Sequence, residues 1–491
     1  MGQAVDDKAI RGIPWTMLSY AGGRAVMVSS TIVLARLLDP SDFGLFALAT
    51  LGTGFISIFS GLGLGSALVL HQDLDRRGEG TLQSMLMLAG VAFAVVLAGV
   101  APLASALFQE PRLTAVLLAL AGVLSISGIN WFYDSLLQKE LAFRTRFVTQ
   151  MIRTVVYAAV AVALAVAGNG VWALVGAHIA GHVANGIALL ILAPYRVPFA
   201  WQRPIVRPIL HTGLGFAAQD GATFLQQNAD YIIVGRVLPT AQLGFYSMAY
   251  RQAEMPYYAI ADPVARVTFP SFSAMRQRGE DVMPSFLSAL RMVALASLPL
   301  GVILSAGAAP FTRALLGDAW APMIGPLSVL GVWAVVRPLE VTTGWLLNSI
   351  GEAGFVGRMS LLLLVPQVVA LYVAADRWGI TAVSWVMLAH ITVALLLVMA
   401  MTQRVTDTPV LAQWAAIQPL VLAAAASWLA TRWVAGALEA SPLQALAASV
   451  VTALGVYTAG VGILAPNALR YARDQVRRAL GRPVRAVPDS V

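Results

Sequence analysis

The chain has 491 residues, 58% of them hydrophobic and 11% charged, with a mean hydropathy of +0.76 and a formal net charge of +8. Soluble globular domains carry about 25% charged residues, so a soluble fold is excluded. The chain has no cysteine, which excludes disulfides, thiolate catalysis and cysteine metal sites.

Apolar runs of about 20 residues, the length a helix needs to cross a bilayer core, recur from end to end. The short alternating segments of a β-barrel are missing. The expected class is therefore an all-α polytopic membrane protein. Fourteen spans are read, at 13–37, 43–70, 81–107, 113–137, 147–167, 170–194, 208–238, 241–269, 284–309, 319–348, 354–375, 379–403, 411–433 and 441–465. The start MGQAVDDKAIRGIPW runs into a segment too long for the apolar core of a signal peptide. LDPSDFG, HQDLDRRGEG, QEPR, GNG, YRVPFAWQRP and MRQRGED supply turn signals between spans.

With both termini placed in the cytoplasm, twenty of the 32 Lys and Arg fall in inner loops and the tail, six in outer loops and six inside spans. That bias matches the rule that cytoplasmic loops are positive. The net charge thus reads as membrane topology, with no nucleic acid as partner. The tail NALRYARDQVRRALGRPVR reads as a basic helix lying on anionic membrane lipids.

The first elbow, IVLARLLDPSDFGLFALA (32–49), returns without a gap as IIVGRVLPTAQLGFYSMA (232–249). Ile32, Arg36, Leu38, Gly44 and Ala49 recur 200 residues later as Ile232, Arg236, Leu238, Gly244 and Ala249. A weaker match pairs Glu140, Phe143 and Arg146 with Glu352, Phe355 and Arg358. The expected domains are an N-lobe over 1–204 (spans 1–6), a C-lobe over 205–404 (spans 7–12), two added spans over 405–465 and a basic tail over 466–491. An even number of spans per lobe makes the repeats parallel, and paired lobes of this kind hold a site near the midplane.

Polar residues inside spans mark the candidate site. Arg24 lies in the first span. Asn130 and Asp134 are one turn apart in the fourth. His178 and His182, in the sixth, are four apart, but HIAGH lacks a zincin glutamate and further ligands. In the seventh, Gln219, Thr223, Gln226 and Asp230 share one helical face, flanked by Asp220 and Gln227. A carboxylate facing lipid at mid-depth costs about 2.5–3.5 kcal/mol, so this stripe faces protein or water. Packing within the bundle is the alternative to a wet site. In the eighth span Arg251, Glu254, Tyr258 and Asp262 follow the same spacing, with Arg266 after them. Arg251 is expected to pair with Glu254, and Asp262 with Arg266. Pro256 and Pro263 are expected to bend that helix. The tenth span carries Arg337 and Glu340 on one side. Arg153 and Arg291 read as residues near inner ends that snorkel to the interface.

The elbows LARLLDPSDFGLFALA and DYIIVGRVLPTAQLGFYSMA, with VTFPSFS (267–273), resemble the polysaccharide transporter family. These are Wzx-type O-antigen and exopolysaccharide flippases of the multidrug/oligosaccharidyl-lipid/polysaccharide (MOP) superfamily. The resemblance implies two six-helix bundles plus two C-terminal helices, like MATE and MurJ transporters. It implies movement of undecaprenyl-diphosphate-linked oligosaccharide across the bacterial cytoplasmic membrane. Partners would be the lipid-linked oligosaccharide, membrane lipids, and a polysaccharide polymerase and glycosyltransferases. The substrate site would be drawn from Arg24, Gln219, Asp220, Thr223, Gln226, Gln227, Arg251, Glu254, Tyr258, Arg266, Arg337 and Glu340. Arginine suits a diphosphate, while tyrosine, tryptophan and amides suit sugars. Asp220, Glu254 and Asp134 are candidates for coupling to H+ or Na+. No P-loop, GxSxG or metal cluster is present in the sequence, so no enzyme activity, metal or cofactor is expected. A drug or cation antiporter, a lipid-II-type flippase and a scaffold for a glycan assembly complex are the rival readings.

Overall fold

The computed structural model describes residues 22–61, 75–193, 195–204, 206–207, 220–221, 223–437, 441–468 and 470. Helix α1 covers 22–37. It is followed by α2 (Pro40–Gly61), α3 (Arg76–Phe108), α4 (Arg112–Lys139), α5 (Phe143–Val166), α6 (Val171–Leu192), α7 (Ala229–Val237) and α8 (Thr240–Ala253). A π-helical turn at Tyr257–Ala261 leads to α9 (Asp262–Gln277), α10 (Met283–Ala306), α11 (Ile324–Ser349), α12 (Ala353–Thr406), α13 (Val410–Ala437) and α14 (Pro442–Leu464). Among the described residues ten helices are long and apolar enough to cross a membrane. This is an all-helical, multi-pass membrane protein.

Local chemistry sets the helix ends. The Asp75 carboxylate accepts from the Gly78 N–H at 2.7 Å and starts α3. Ser441 and Gln444 form a capping box at α14, with Pro442 in the first turn. The expected spans at 354–375 and 379–403 form one helical run, α12, broken at Gly379 (φ 73°, ψ −164°). The chain folds back there. Gln367 Nε2 lies 3.6 Å from Met387 Sδ, whereas twenty residues of straight helix would hold them about 30 Å apart. That backbone region is open essentially to glycine alone. Gly379→Ala is expected to destabilise the protein by about 1–3 kcal/mol, read as a lower melting temperature of the purified protein.

The expected eighth span at 241–269 is instead three pieces, α8, the π-turn and α9. Pro256 and Pro263 bracket the π-turn. A proline lacks the N–H that closes a regular helical turn, and the ladder widens locally.

The two elbows have the same backbone. α1 and α7 end at 37 and 237, and α2 and α8 begin at 40 and 240. Leu38 N–H bonds to Leu34 O at 2.9 Å, and Leu238 N–H to Val234 O at 2.9 Å. Asp42 N–H bonds to Asp39 O at 3.0 Å, and Gln242 N–H to Pro239 O at 2.8 Å. The sequence repeat is thus a structural repeat at its elbows.

The chain forms two compact units, residues 1–244 and 245–491. In the first, Leu82, Leu86, Phe132, Leu136 and Leu189 pack α3, α4 and α6 together. At one end of that bundle Lys139 Nζ meets Glu79 Oε1 at 2.7 Å, and the Tyr195 hydroxyl donates to Glu79 at 3.2 Å and Glu140 at 3.4 Å. Burial, together with these two carboxylates, pushes the Tyr195 phenol up from its ordinary value. In the second unit the core runs from Phe286 and Val293 of α10 to Leu346, Ile417 and Tyr457.

Candidate functional site

The first unit gathers polar side chains from three helices. Asp134 ends the polar turn of α4. After a tight turn through Leu141, which adopts φ 55°, α5 returns Arg146 to it. Arg146 Nε and Nη2 donate to Asp134 Oδ1 and Oδ2 at 2.9 and 2.8 Å, a bidentate fork. Arg153, two turns along α5, lies in the field of Asp134 and of His178 and His182 on α6. The two imidazoles meet at a tilt of 44° with centroids 4.6 Å apart. Asn130 Nδ2 donates to the His182 carbonyl at 3.1 Å. Asn130 Oδ1 and His182 Nδ1 are buried without a hydrogen-bond partner among the described residues, which leaves two polar atoms for water or an ion. No group of three metal-capable side chains is present among the described residues.

The seventh-span stripe differs from the continuous face its spacing implies. Gln219 lies outside the described residues. Asp220, Thr223 and Gln227 are exposed and Gln226 is half-buried, but Asp230 is only 1% exposed. The helix is interrupted at Asn228 (φ −118°, ψ 13°). The Asn228 amide donates to the Phe224 carbonyl at 2.8 Å, a local bond that competes with the helical ladder. The stripe is therefore an exposed segment followed by a buried aspartate. Arg24 on α1 is also exposed.

In the second unit an arginine sits between aromatic rings. Arg337 of α11 lies 5.7 Å from the Tyr257 centroid and 5.9 Å from that of Trp333, within cation–π reach. Tyr250 stacks on Trp333 at 5.1 Å, and Tyr257 meets Tyr258 edge-on at 4.9 Å. Glu340, Glu254, Tyr250 and Tyr257 act electrostatically on Arg337, as Arg337 does on His390 of α12. No carboxylate comes within ion-pairing distance of Arg337 among the described residues. The π-turn delivers Tyr257, in keeping with the placing of such turns at functional sites.

Arg266 pairs with Asp262 at 3.0 Å, as the spacing implies. The expected Arg251–Glu254 pair is not formed. Glu254 falls where the helix gives way before Pro256, so the regular spacing that would align the two is lost, and Arg251 is exposed. Tyr258, Glu254 and Glu340 are half-buried. Sequence reasoning passed over His390, a lone imidazole in an apolar run.

A further polar link ties the α3–α4 turn to the second elbow. Thr240 Oγ1 donates to Glu110 Oε2 at 2.8 Å, and Arg112 Nε to Glu110 Oε1 at 2.9 Å. The hydrogen bond from Arg112, reinforced by that from Thr240, holds the Glu110 carboxyl below the usual carboxylate range. A depressed pKa stabilises the fold above the ordinary value of 4.5, and this is lost as pH falls through the depressed value. Glu110→Gln is expected to lower the melting temperature at pH 7. The gap to the native protein should close as the pH is taken below about 4, as read in melting curves across pH.

Comparison with known proteins decides the family. The profile of a family described as "Polysaccharide biosynthesis protein" matches residues 33–325. The chain belongs to that family. Among its relatives, the teichuronic acid biosynthesis protein TuaB of Bacillus subtilis (strain 168) is 25% identical over 387 residues, 78% of this chain and 80% of the relative. The succinoglycan biosynthesis transport protein ExoT of Rhizobium meliloti (strain 1021) is 26% identical over 405 residues, 79% of each chain. The lipopolysaccharide biosynthesis protein WzxC of Escherichia coli (strain K12) is 22% identical over 389 residues, 76% of this chain and 77% of the relative. The fold of this polysaccharide biosynthesis protein is that of MurJ and MATE transporters. The lipid II flippase MurJ in an inward closed conformation superposes with a TM-score of 0.75 at 12% identity, covering 95% of this chain and 100% of MurJ. An inward-facing multidrug resistance MATE transporter of the MOP superfamily gives 0.61 at 16% identity, covering 82% and 99%.

Proposed function

We propose that the protein is a flippase that carries a diphosphate-linked oligosaccharide lipid across the bacterial cytoplasmic membrane by alternating access. The observation that carries this reading is Arg337, seated between Tyr257 and Trp333 with no carboxylate at ion-pairing distance among the described residues. Such a guanidinium keeps its donors for two phosphate oxygens, and the surrounding rings offer faces to sugars. The names of the relatives, a teichuronic acid protein, a succinoglycan transport protein and a lipopolysaccharide protein, favour a glycan over a drug.

Within the second unit Arg337 holds the diphosphate, aided by Arg251, which is exposed. Arg266, tied to Asp262, serves only where that pair opens. In the same unit Tyr258 and Glu340 receive sugar hydroxyls. A proton or sodium ion couples through Asp220 or Glu254. Asp134 joins in only by releasing Arg146 from its fork.

The test is reconstitution in liposomes with a fluorescent polyprenyl-diphosphate oligosaccharide. Movement between leaflets supports the reading. Ethidium efflux without glycolipid movement assigns the chain to antiport. Asp220→Asn is expected to slow transfer about tenfold at neutral pH, the loss of one charged contact, and to flatten its pH dependence. A wild-type rate across pH removes Asp220 from coupling.

A further inference from the structure

The second unit contains a cavity of about 420 Å³ between α10, α13 and the end of α14. Its polar lining is Ser288 and Arg291 of α10 and Asn467 just beyond α14, and its apolar lining includes Leu295, Leu420 and Leu464. Arg291 is eight residues into α10, Ala415 five residues into α13, and Leu464 the last residue of α14. All three helices thus meet the cavity towards one end, within about 18 Å of it at 1.5 Å per residue. At the same ends of α13 and α14, Leu411, Trp414, Ile463 and the lining residue Leu464 are exposed at 75%, 42%, 80% and 46%. An exposed apolar rim with a tryptophan is what a helix end presents at the boundary of headgroups and acyl chains.

Among the described residues Arg291 has one hydrogen bond, from Nε to the Ala416 carbonyl at 3.3 Å, and no carboxylate pairs with it. A guanidinium has five donors, and Arg291 is exposed and lines the cavity, so most of its donor capacity stays open for a ligand there. Across from it, Pro419 of α13 has no N–H to give the Ala415 carbonyl, and Ala415 lines the same cavity. The Ser288 hydroxyl donates to Pro284 O at 2.9 Å and keeps its lone pairs. In sequence, the residues from Arg470 to Val491 carry six arginines against two aspartates.

A cation able to fork onto phosphate, acceptors for hydroxyl groups, and an apolar wall that opens to the bilayer together define one ligand class. We propose that this cavity is a binding site for an anionic glycerophospholipid of the phosphatidylglycerol type. The phosphate sits on Arg291, the glycerol hydroxyls face the Ala415 carbonyl and Ser288, and an acyl chain lies along Leu295, Leu420 and Leu464. The site is separate from the residues proposed for the transported glycan, and the inference does not depend on that function.

Native mass spectrometry of the full chain, titrated with phosphatidylglycerol or phosphatidylcholine, tests it. The native protein is expected to retain one phosphatidylglycerol at least tenfold more tightly than phosphatidylcholine. Arg291→Met should lose that preference, and Arg291→Lys should keep part of it. Ala415→Phe fills the cavity but leaves Arg291 in place, so its loss of lipid cannot be ascribed to removal of a charge. Unchanged retention by both Arg291→Met and Ala415→Phe overturns the proposal. So does displacement of the lipid by soluble glycerol phosphate at equal concentration, which marks a small-anion site. Preferential displacement by a polyprenyl diphosphate assigns the cavity to the transported lipid instead.

Discussion

Replacement of Arg337 by alanine is expected to cut the transfer of a diphosphate-linked glycolipid by about 10- to 100-fold. Charge-assisted hydrogen bonds contribute about 1.5–3 kcal/mol, and about 1.4 kcal/mol is a factor of ten in rate. Arg337 faces two aromatic rings and also lies in the field of Glu340 and Glu254, so Arg337→Ala withdraws the charge that offsets Glu340 as well as the donors for phosphate. The transfer loss is therefore read beside a melting curve of the same variant. Arg337→Lys is the sharper comparison. A lysine keeps the charge but loses the planar fork and stacks less well on tyrosine and tryptophan, and about a tenfold deficit should remain. Trp333→Leu removes one ring while retaining the guanidinium. If Arg337→Ala transports at the native rate in proteoliposomes, the diphosphate is held elsewhere. Dye efflux measured on the same vesicles separates a glycolipid defect from a general failure of the transport cycle.

The elbows were legible because they are local. A gap-free repeat over eighteen residues fixes the turn, and the backbone hydrogen bonds at 38 and 238 coincide. The one-sided sets Arg337 with Glu340, and Asp262 with Arg266, were legible for the same reason, since helical periodicity places them. The cage round Arg337 was legible only in part: Trp333 stands one turn before Arg337 on the same helix, but Tyr257 comes from the π-turn, and periodicity within one helix carries no word about a neighbour. The Asp134–Arg146 fork depends on Leu141 taking a left-handed conformation, which favours glycine or asparagine, so leucine gave no cue. The break in the seventh span was not legible either. Asn228 stands within the periodic run of the stripe, yet its amide bonds to the Phe224 carbonyl where the helix is interrupted. His390 carries no partner within reach along its own helix, so only tertiary structure joins it to Arg337.

Gly44 and Gly244, equivalent by the repeat, also meet. A Cβ added to Gly44 would lie 1.9 Å from Thr240 O and 2.9 Å from Gly244 N. One added to Gly244 would lie 1.9 Å from Pro40 O and 3.2 Å from Gly44 N. The contacts are reciprocal at an offset of 200, as a local two-fold relation between elbows requires. They involve backbone atoms, so no side chain can turn aside. Close approach of this kind is how helices associate in a bilayer, where burial of apolar area gives little drive. Gly44→Ala and Gly244→Ala are each expected to destabilise by about 3 kcal/mol, the upper part of the range for overpacking. The two substitutions should act alike, since each pushes on the opposite elbow's carbonyl. The double variant should fall well short of the sum, because elbows already parted by one methyl have room for the second. Melting of the four proteins in one detergent reads all three statements. Two single variants that melt at the native temperature would show that the elbows are not in backbone contact. Equal single losses that add in full would show that the two glycines act at separate places, which the shared offset forbids.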